Sequence, residues 1–209
     1  MATEFSQRAG PTEPYVVMGI EYCVPHETVL VLKENIFSLH GRAEIRDTEG
    51  QLFFMSENKM VSLHSRKTVY NAKDQPVFTQ SSSLLSLHDT TFLTAGESTD
   101  LNDALVTAKK ELLSFAEALN VFLKGNVSRN PDIIVEGKFF YHDYTITTSS
   151  GLLLAEATLN LARTQVMNAQ EYGVRIKPNV DMALIIGLVG MVHTIFFKTK
   201  DKNTIRLRL

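Results

Sequence analysis

VDMALIIGLVGMVHTIFF, residues 180–197, holds one charged side chain, Asp181, in eighteen positions. As an α-helix rising about 1.5 Å per residue it is about 27 Å long, close to the thickness of a bilayer core. It is apolar on every face, so protein or lipid must enclose it on all sides. Pro178 blocks an earlier start, Asn179 is placed to cap the first turn, and Asp181 suits the positive end of the helix dipole. Gly187 and Gly190 leave one flank open to a close neighbour.

Beyond this helix the composition changes sharply. Residues 198–209 carry Lys198, Lys200, Lys202, Arg206 and Arg208 against Asp201. A basic tail after an apolar helix is what a membrane-proximal segment shows, and also what a solvated terminus shows. The whole chain has a formal net charge of -2, so no overall basic field points to nucleic acid. One cysteine excludes an internal disulfide framework and a cysteine-based zinc cluster. The opening MATEFSQRAGPTEP lacks the pattern of a signal peptide, and residues 1–14 read as a flexible arm. A reducing, cytoplasmic setting is therefore expected, in which the Asn126-Val127-Ser128 sequon is unused.

Upstream of the helix lies a repeat. Phe37-Ser38-Leu39-His40, Val61-Ser62-Leu63-His64 and Leu85-Ser86-Leu87-His88 recur every 24 residues, with turn signals between them at 48–50 and 72–74. A leucine-rich repeat has a similar period, but its L-x-x-L-x-L ladder and closing Asn are missing. A β-meander fits better, with strands near 36–40, 43–47, 51–56, 59–64, 67–71, 76–80, 84–88 and 91–94. On this reading Phe37, Leu39, Val61, Leu63, Leu85 and Leu87 point inward, and the Ser and His positions outward.

Residues 100–124 carry apolar side chains at helical spacing, with Asp100 as a possible cap. Alternating or apolar runs at 133–136, 139–147, 152–158 and 172–177 read as further strands.

With these pieces in place the chain resembles the LURP-one-related family, which shares the Tubby C-terminal and phospholipid-scramblase fold. The resemblance rests on Tyr22-Cys23-Val24-Pro25, on Asp47-Thr48-Glu49-Gly50 followed by Leu52-Phe53-Phe54, and on Leu84-Leu85-Ser86-Leu87-His88-Asp89. It also rests on Asn120-Val121-Phe122-Leu123 and Pro178-Asn179-Val180-Asp181-Met182-Ala183. It spans roughly residues 15–197, expected as one domain. It implies a mainly β fold, a twelve-stranded antiparallel closed barrel around a central hydrophobic C-terminal helix. A barrel of that size has a wide interior, and 180–197 is the segment long and apolar enough to fill it. His193 then becomes an internal polar group that needs a partner. The resemblance also implies strands rather than a helix at 104–109 and 119–124; the sequence departs there, Glu111, Ala116, Glu117 and Ala118 favouring a short helical turn near 111–117.

Catalytic signals are weak. There is no G-x-S-x-G elbow, P-loop or H-E-x-x-H. Cys23 has nothing beside it in sequence to lower its pKa and reads as a small hydrophobe. In His88-Asp89 and His142-Asp143 neighbours on a strand face opposite ways, so neither pair makes a dyad. Evenly spaced His40, His64 and His88 read as repeated strand-end residues rather than metal ligands, because no acidic motif accompanies them. No enzyme, cofactor or metal is expected.

The function that remains is a binding or scaffold module with an unknown protein partner. Tubby-like domains imply contact with phosphoinositide or other anionic headgroups. The exposed cations expected for this are Arg42, Arg66, Lys67, Lys109 and Lys110, together with Lys198, Lys200, Lys202, Arg206 and Arg208. They read equally as solvated charges balancing Glu44, Asp47 and Asp74. The alternative is a scramblase-like lipid-handling membrane protein, but its Cys-rich segment and acidic calcium loop are missing here.

Overall fold

In the computed structural model the residues described are 9–33, 36–37, 41–61, 64–82, 90–111, 117–159 and 171–197. Twelve strands close into one antiparallel barrel: β1 Thr28–Lys33, β2 Gly41–Asp47, β3 Leu52–Val61, β4 His64–Asn71, β5 Pro76–Ser82, β6 Thr90–Ala95, β7 Val106–Lys110, β8 Ala118–Leu123, β9 Ile133–Lys138, β10 Asp143–Thr148, β11 Leu153–Thr158 and β12 Glu171–Ile176. Each strand pairs with its sequence neighbour, and β12 closes on β1 through the register Thr28↔Ile176 to Lys33↔Glu171. Closure leaves no free edge to recruit another chain.

The interior is occupied by α1, Met182–Val192, continued by a π-helical turn, His193–Phe197. All eleven residues of α1 are buried. The inward side chains of the wall, such as Leu30, Ile45, Phe54, Phe78, Leu93 and Ile146, join the helix in one apolar core. The helix lies closest to β5 and β6. A methyl on Gly187 would stand 2.4 Å from a Leu93 methyl, and one on Gly190 2.5 Å from Gln80 Oε1. These glycines let the helix axis approach that part of the wall.

The helix begins two residues later than the Asn179 cap predicts. Asn179 takes a left-handed conformation (φ 63°), and its amide instead holds the carbonyls of Pro11 and Thr12 at 3.3 and 3.2 Å. Residues 9–14, expected as part of the arm, therefore include a bonded stretch; 1–8 lie outside the described residues. The cap is Asp181, fully buried. Its Oδ1 accepts from Leu184 N at 3.1 Å, and its Oδ2 accepts from Val17, Met18 and Gly19 N at 3.0, 2.6 and 3.1 Å. Tyr15 and Cys23 form bridges to Val180 and Asp181, so the segment from 15 to 23 closes this end of the barrel.

The repeat falls differently from the predicted meander. The strands expected at 51–56 and 59–64 are one long strand to Val61, and His64 opens the next. Ile36 and Phe37 form a turn after β1, with Ile36 N bonded to Lys33 O, rather than a strand. The strand expected at 84–88, and the inward orientation expected for Leu39, Leu63, Leu85 and Leu87, lie outside the described residues. The first and third copies fall in sequence between an odd-numbered strand and the next, and the second spans the end of β3 and the start of β4. In an antiparallel barrel these connections share one end, which explains the 24-residue period. Strands at 106–110 and 118–123 replace the helical period of 100–124, apart from a 3-10 turn at Leu101–Asp103 capped by Asp100. The helical turn expected near 111–117 falls largely on 112–116, outside the described residues.

Two substitutions test this arrangement. Leu188→Ala removes a fully buried side chain and is expected to cost about 2–5 kcal/mol in chemical denaturation. Asp181→Ala strands four backbone donors and is expected to cost at least about 3 kcal/mol.

Candidate functional site

The helix ends at the barrel mouth opposite the Asp181 plug. The last carbonyls of a helix lack intrahelical donors and carry partial negative charge. Here the wall supplies donors to one backbone carbonyl and to the Thr194 hydroxyl. Gln80 Nε2, from β5, donates to Gly190 O at 3.2 Å and to Thr194 Oγ1 at 2.7 Å. Lys67 Nζ, from β4, donates to Thr194 Oγ1 at 3.1 Å and lies 5.5 Å from the Phe37 ring centroid. Lys67 is 5% exposed, so it is not the surface cation expected from its sequence position. Its inward register places it on the helix end, where its positive charge opposes the helix dipole.

Among the described residues, aromatic rings pack around the helix end at this mouth. Phe197 is stacked between two imidazoles, 4.5 Å from His193 and 5.5 Å from His142. His142 also stacks on Tyr172 at 4.0 Å, and Phe139 on Phe196 at 4.2 Å. His193 is thus a buried ring among rings, with Phe37 6.0 Å away. The strand predicted at 139–147 begins only at Asp143. Phe139–Tyr141 form a 3-10 turn, and His142 follows in a left-handed conformation (φ 47°). The turn buries Phe139 and leaves Phe140 and Tyr141 40% and 68% exposed, with Phe140 5.4 Å from Phe197.

The remaining cations do not converge. Arg42 is ion-paired to Asp74 at 3.0 Å and Glu57 at 3.8 Å, above the Tyr70 ring. Arg66 is exposed on β4. Lys109 points outward on β7, three strands away, with Nζ 5.5 Å from the Phe122 ring. Lys110, its neighbour, turns toward the mouth and lies 5.0 Å from the Phe196 ring. Strand alternation separates the pair that looked contiguous in sequence. Lys198, Lys200, Lys202, Arg206 and Arg208 lie outside the described residues, but the chain enters that segment from Phe197, at this mouth.

Known proteins place this barrel. The model of the LURP-one-related family matches residues 28–193, most of the chain and every strand. The chain belongs to the LURP-one-related family. An X-ray structure of a protein from Arabidopsis thaliana is similar to it, with a TM-score of 0.66 and 24% identity over 85% of this chain and 96% of that one. That likeness concerns the fold. No curated protein matches the chain in sequence.

The LURP-one-related barrel offers little nucleophilic chemistry at its described cysteine. Burial, aided by Asp181 and Glu21, pushes the Cys23 thiol up to about 11, away from thiolate reactivity. His142 is buried while Asp143 is exposed, so the two do not form a dyad. Among the described residues no group of His, Cys, Asp and Glu could hold a metal ion. His40 and His88 lie outside those residues.

His142 gives a pH prediction. Burial lowers its pKa to about 4, because the stacked site disfavours the imidazolium. The unfolded chain takes up that proton near pH 6.5. The stabilisation is therefore complete above about pH 6.5 and is lost as pH falls toward 4. It amounts to roughly 3 kcal/mol at most. Urea unfolding across pH 4–7 should show a shallower loss for His142→Asn than for the unaltered protein.

Proposed function

We propose that this protein is a non-enzymatic, cytoplasmic binding or scaffold module that makes weak peripheral contact with anionic phospholipid through residues 198–209. The observation that carries this reading is the placement of charge in the chain. Five cations within eleven residues follow directly on the helix end, while the rest of the chain is acidic. Near an anionic leaflet each basic residue contributes about 1 kcal/mol, opposed by the ordering of the tail. The balance is reversible binding, marginal at physiological salt, where the Debye length is about 8 Å.

Peripheral contact is favoured over insertion. No helix among the described residues is long and apolar enough to cross a membrane. Moreover, α1 already buries every face in the barrel, so insertion would expose the wall's apolar lining. The dispersed positions of Arg42, Arg66 and Lys109 support the tail, rather than a patch on the wall, as the main electrostatic contact.

Vesicle sedimentation tests the proposal. Binding is expected with phosphatidylserine-containing vesicles at low salt, not with neutral ones, and is expected to disappear at high salt. Deleting 198–209 should abolish it without changing the denaturation midpoint. Equal binding to both lipids, or binding that survives high salt, overturns the electrostatic account in favour of a scramblase-like inserted form. No binding at low salt removes the membrane from the function.

A further inference from the structure

The two ends of the barrel differ in the chemistry they expose. At the plugged end the exposed aliphatic residues Val16, Ile20, Leu101 and Val127 are accompanied by four exposed acids, Glu13, Glu21, Asp100 and Asp103, against two exposed cations, Arg129 and Lys124, the latter paired to Asp103 at 3.3 Å. An anionic surface would repel that end. Among the described residues at the other end, the exposed large apolar side chains are aromatic, Phe140 and Tyr141. Lys138 is exposed immediately before their turn and Lys110 lies at the same rim; Glu136 and Asp143 are the exposed acids on either side. Phe140 is in ring contact with Phe197, the last described residue before the basic tail.

We propose that the Phe140-Tyr141 turn is an interfacial anchor that seats the helix-terminal mouth of the barrel on an anionic bilayer. The inference rests on the membrane reading of the tail and adds the contact surface and the orientation. Tyr and Phe partition into the zone between headgroups and acyl chains, where an apolar ring body and a polar tip are both accommodated. A short turn held on a closed barrel presents the two rings with little ordering cost. Phe139 and His142 flank them and are buried in the aromatic stack, which fixes the direction of the turn. The tail supplies long-range attraction and the rings supply short-range depth, two contributions to one reversible contact.

The chain contains no tryptophan, so Tyr141→Trp introduces a single fluorescent reporter at the proposed contact. A second full-length variant, Val127→Trp, places the reporter at the opposite end, where Val127 is fully exposed. With phosphatidylserine-containing vesicles at low salt, the Tyr141→Trp emission is expected to shift to shorter wavelength and to be quenched by brominated acyl chains. The Val127→Trp emission is expected to stay unchanged. Tyr141→Ser is expected to weaken sedimentation with these vesicles by about three- to tenfold. Its unaltered denaturation midpoint would separate that loss from unfolding. If the protein sediments but Tyr141→Trp neither shifts nor is quenched, the anchor is refuted while the tail reading stands. A response from Val127→Trp instead refutes the orientation. Absence of sedimentation at low salt refutes both readings together.

Discussion

A buried carboxylate holds the two parts of this molecule together. Asp181 has no exposure and accepts four backbone hydrogen bonds, one from its own helix and three from the chain at Val17–Gly19. A charge in such a place is tolerable only if donors replace its water. The donors come from two distant parts of the sequence, so the carboxylate fixes both. It starts the helix and pulls the N-terminal segment across the barrel end. That closure keeps the apolar interior dry, which in turn allows an almost chargeless helix to remain inside protein.

At the opposite end the same problem is solved with reversed charge. A helix C-terminus presents carbonyls, so the wall must contribute donors. Gln80 donates to the Gly190 carbonyl, while Lys67, from the adjacent strand, donates to the Thr194 hydroxyl and adds a positive charge beside the negative end of the dipole. Stacked rings pack beside them. The barrel therefore matches the helix along its sides by apolar packing and at its ends by hydrogen bonding.

Much of this was legible in the sequence because burial leaves a strong pattern. The helix is apolar on every side, and most strands alternate between apolar and polar residues. What was misread depended on position in three dimensions. Asn179 looked like the cap, yet Asp181 has the better partners because residues 17–19 fold back over it. Lys67 looked like a surface cation, since nothing local reveals that its strand turns it toward Thr194. Phe139-Phe140-Tyr141 looked like the start of a strand, because an aromatic run favours β structure. The left-handed His142 ends the turn there, and only the fold decides which ring goes inside. At 100–124 the helical spacing came from two strands whose inward residues, Val106 and Ala108, then Leu119 and Val121, alternate correctly for a wall.

The repeat shows how a sequence period can follow from the closure of a barrel. A 24-residue unit suggests equivalent strands, and it returns the chain to the same end of the barrel every second strand. What recurs is the place in sequence where an odd-numbered strand gives way to the next. The described member of the first copy shows why an apolar residue belongs there. Phe37, 2% exposed, sits in the turn after β1 and packs against His193 and beside Lys67, under the end of the helix. A methyl on Gly190 would come within 3.3 Å of its ring. The repeat therefore begins where the wall meets the helix terminus, and the same mouth carries the exposed Phe140 and Tyr141. Closing the interior requires apolar residues at that mouth; leaving two of its rings in solvent does not help closure. That difference separates the residues that complete the fold from those available for contact with another surface.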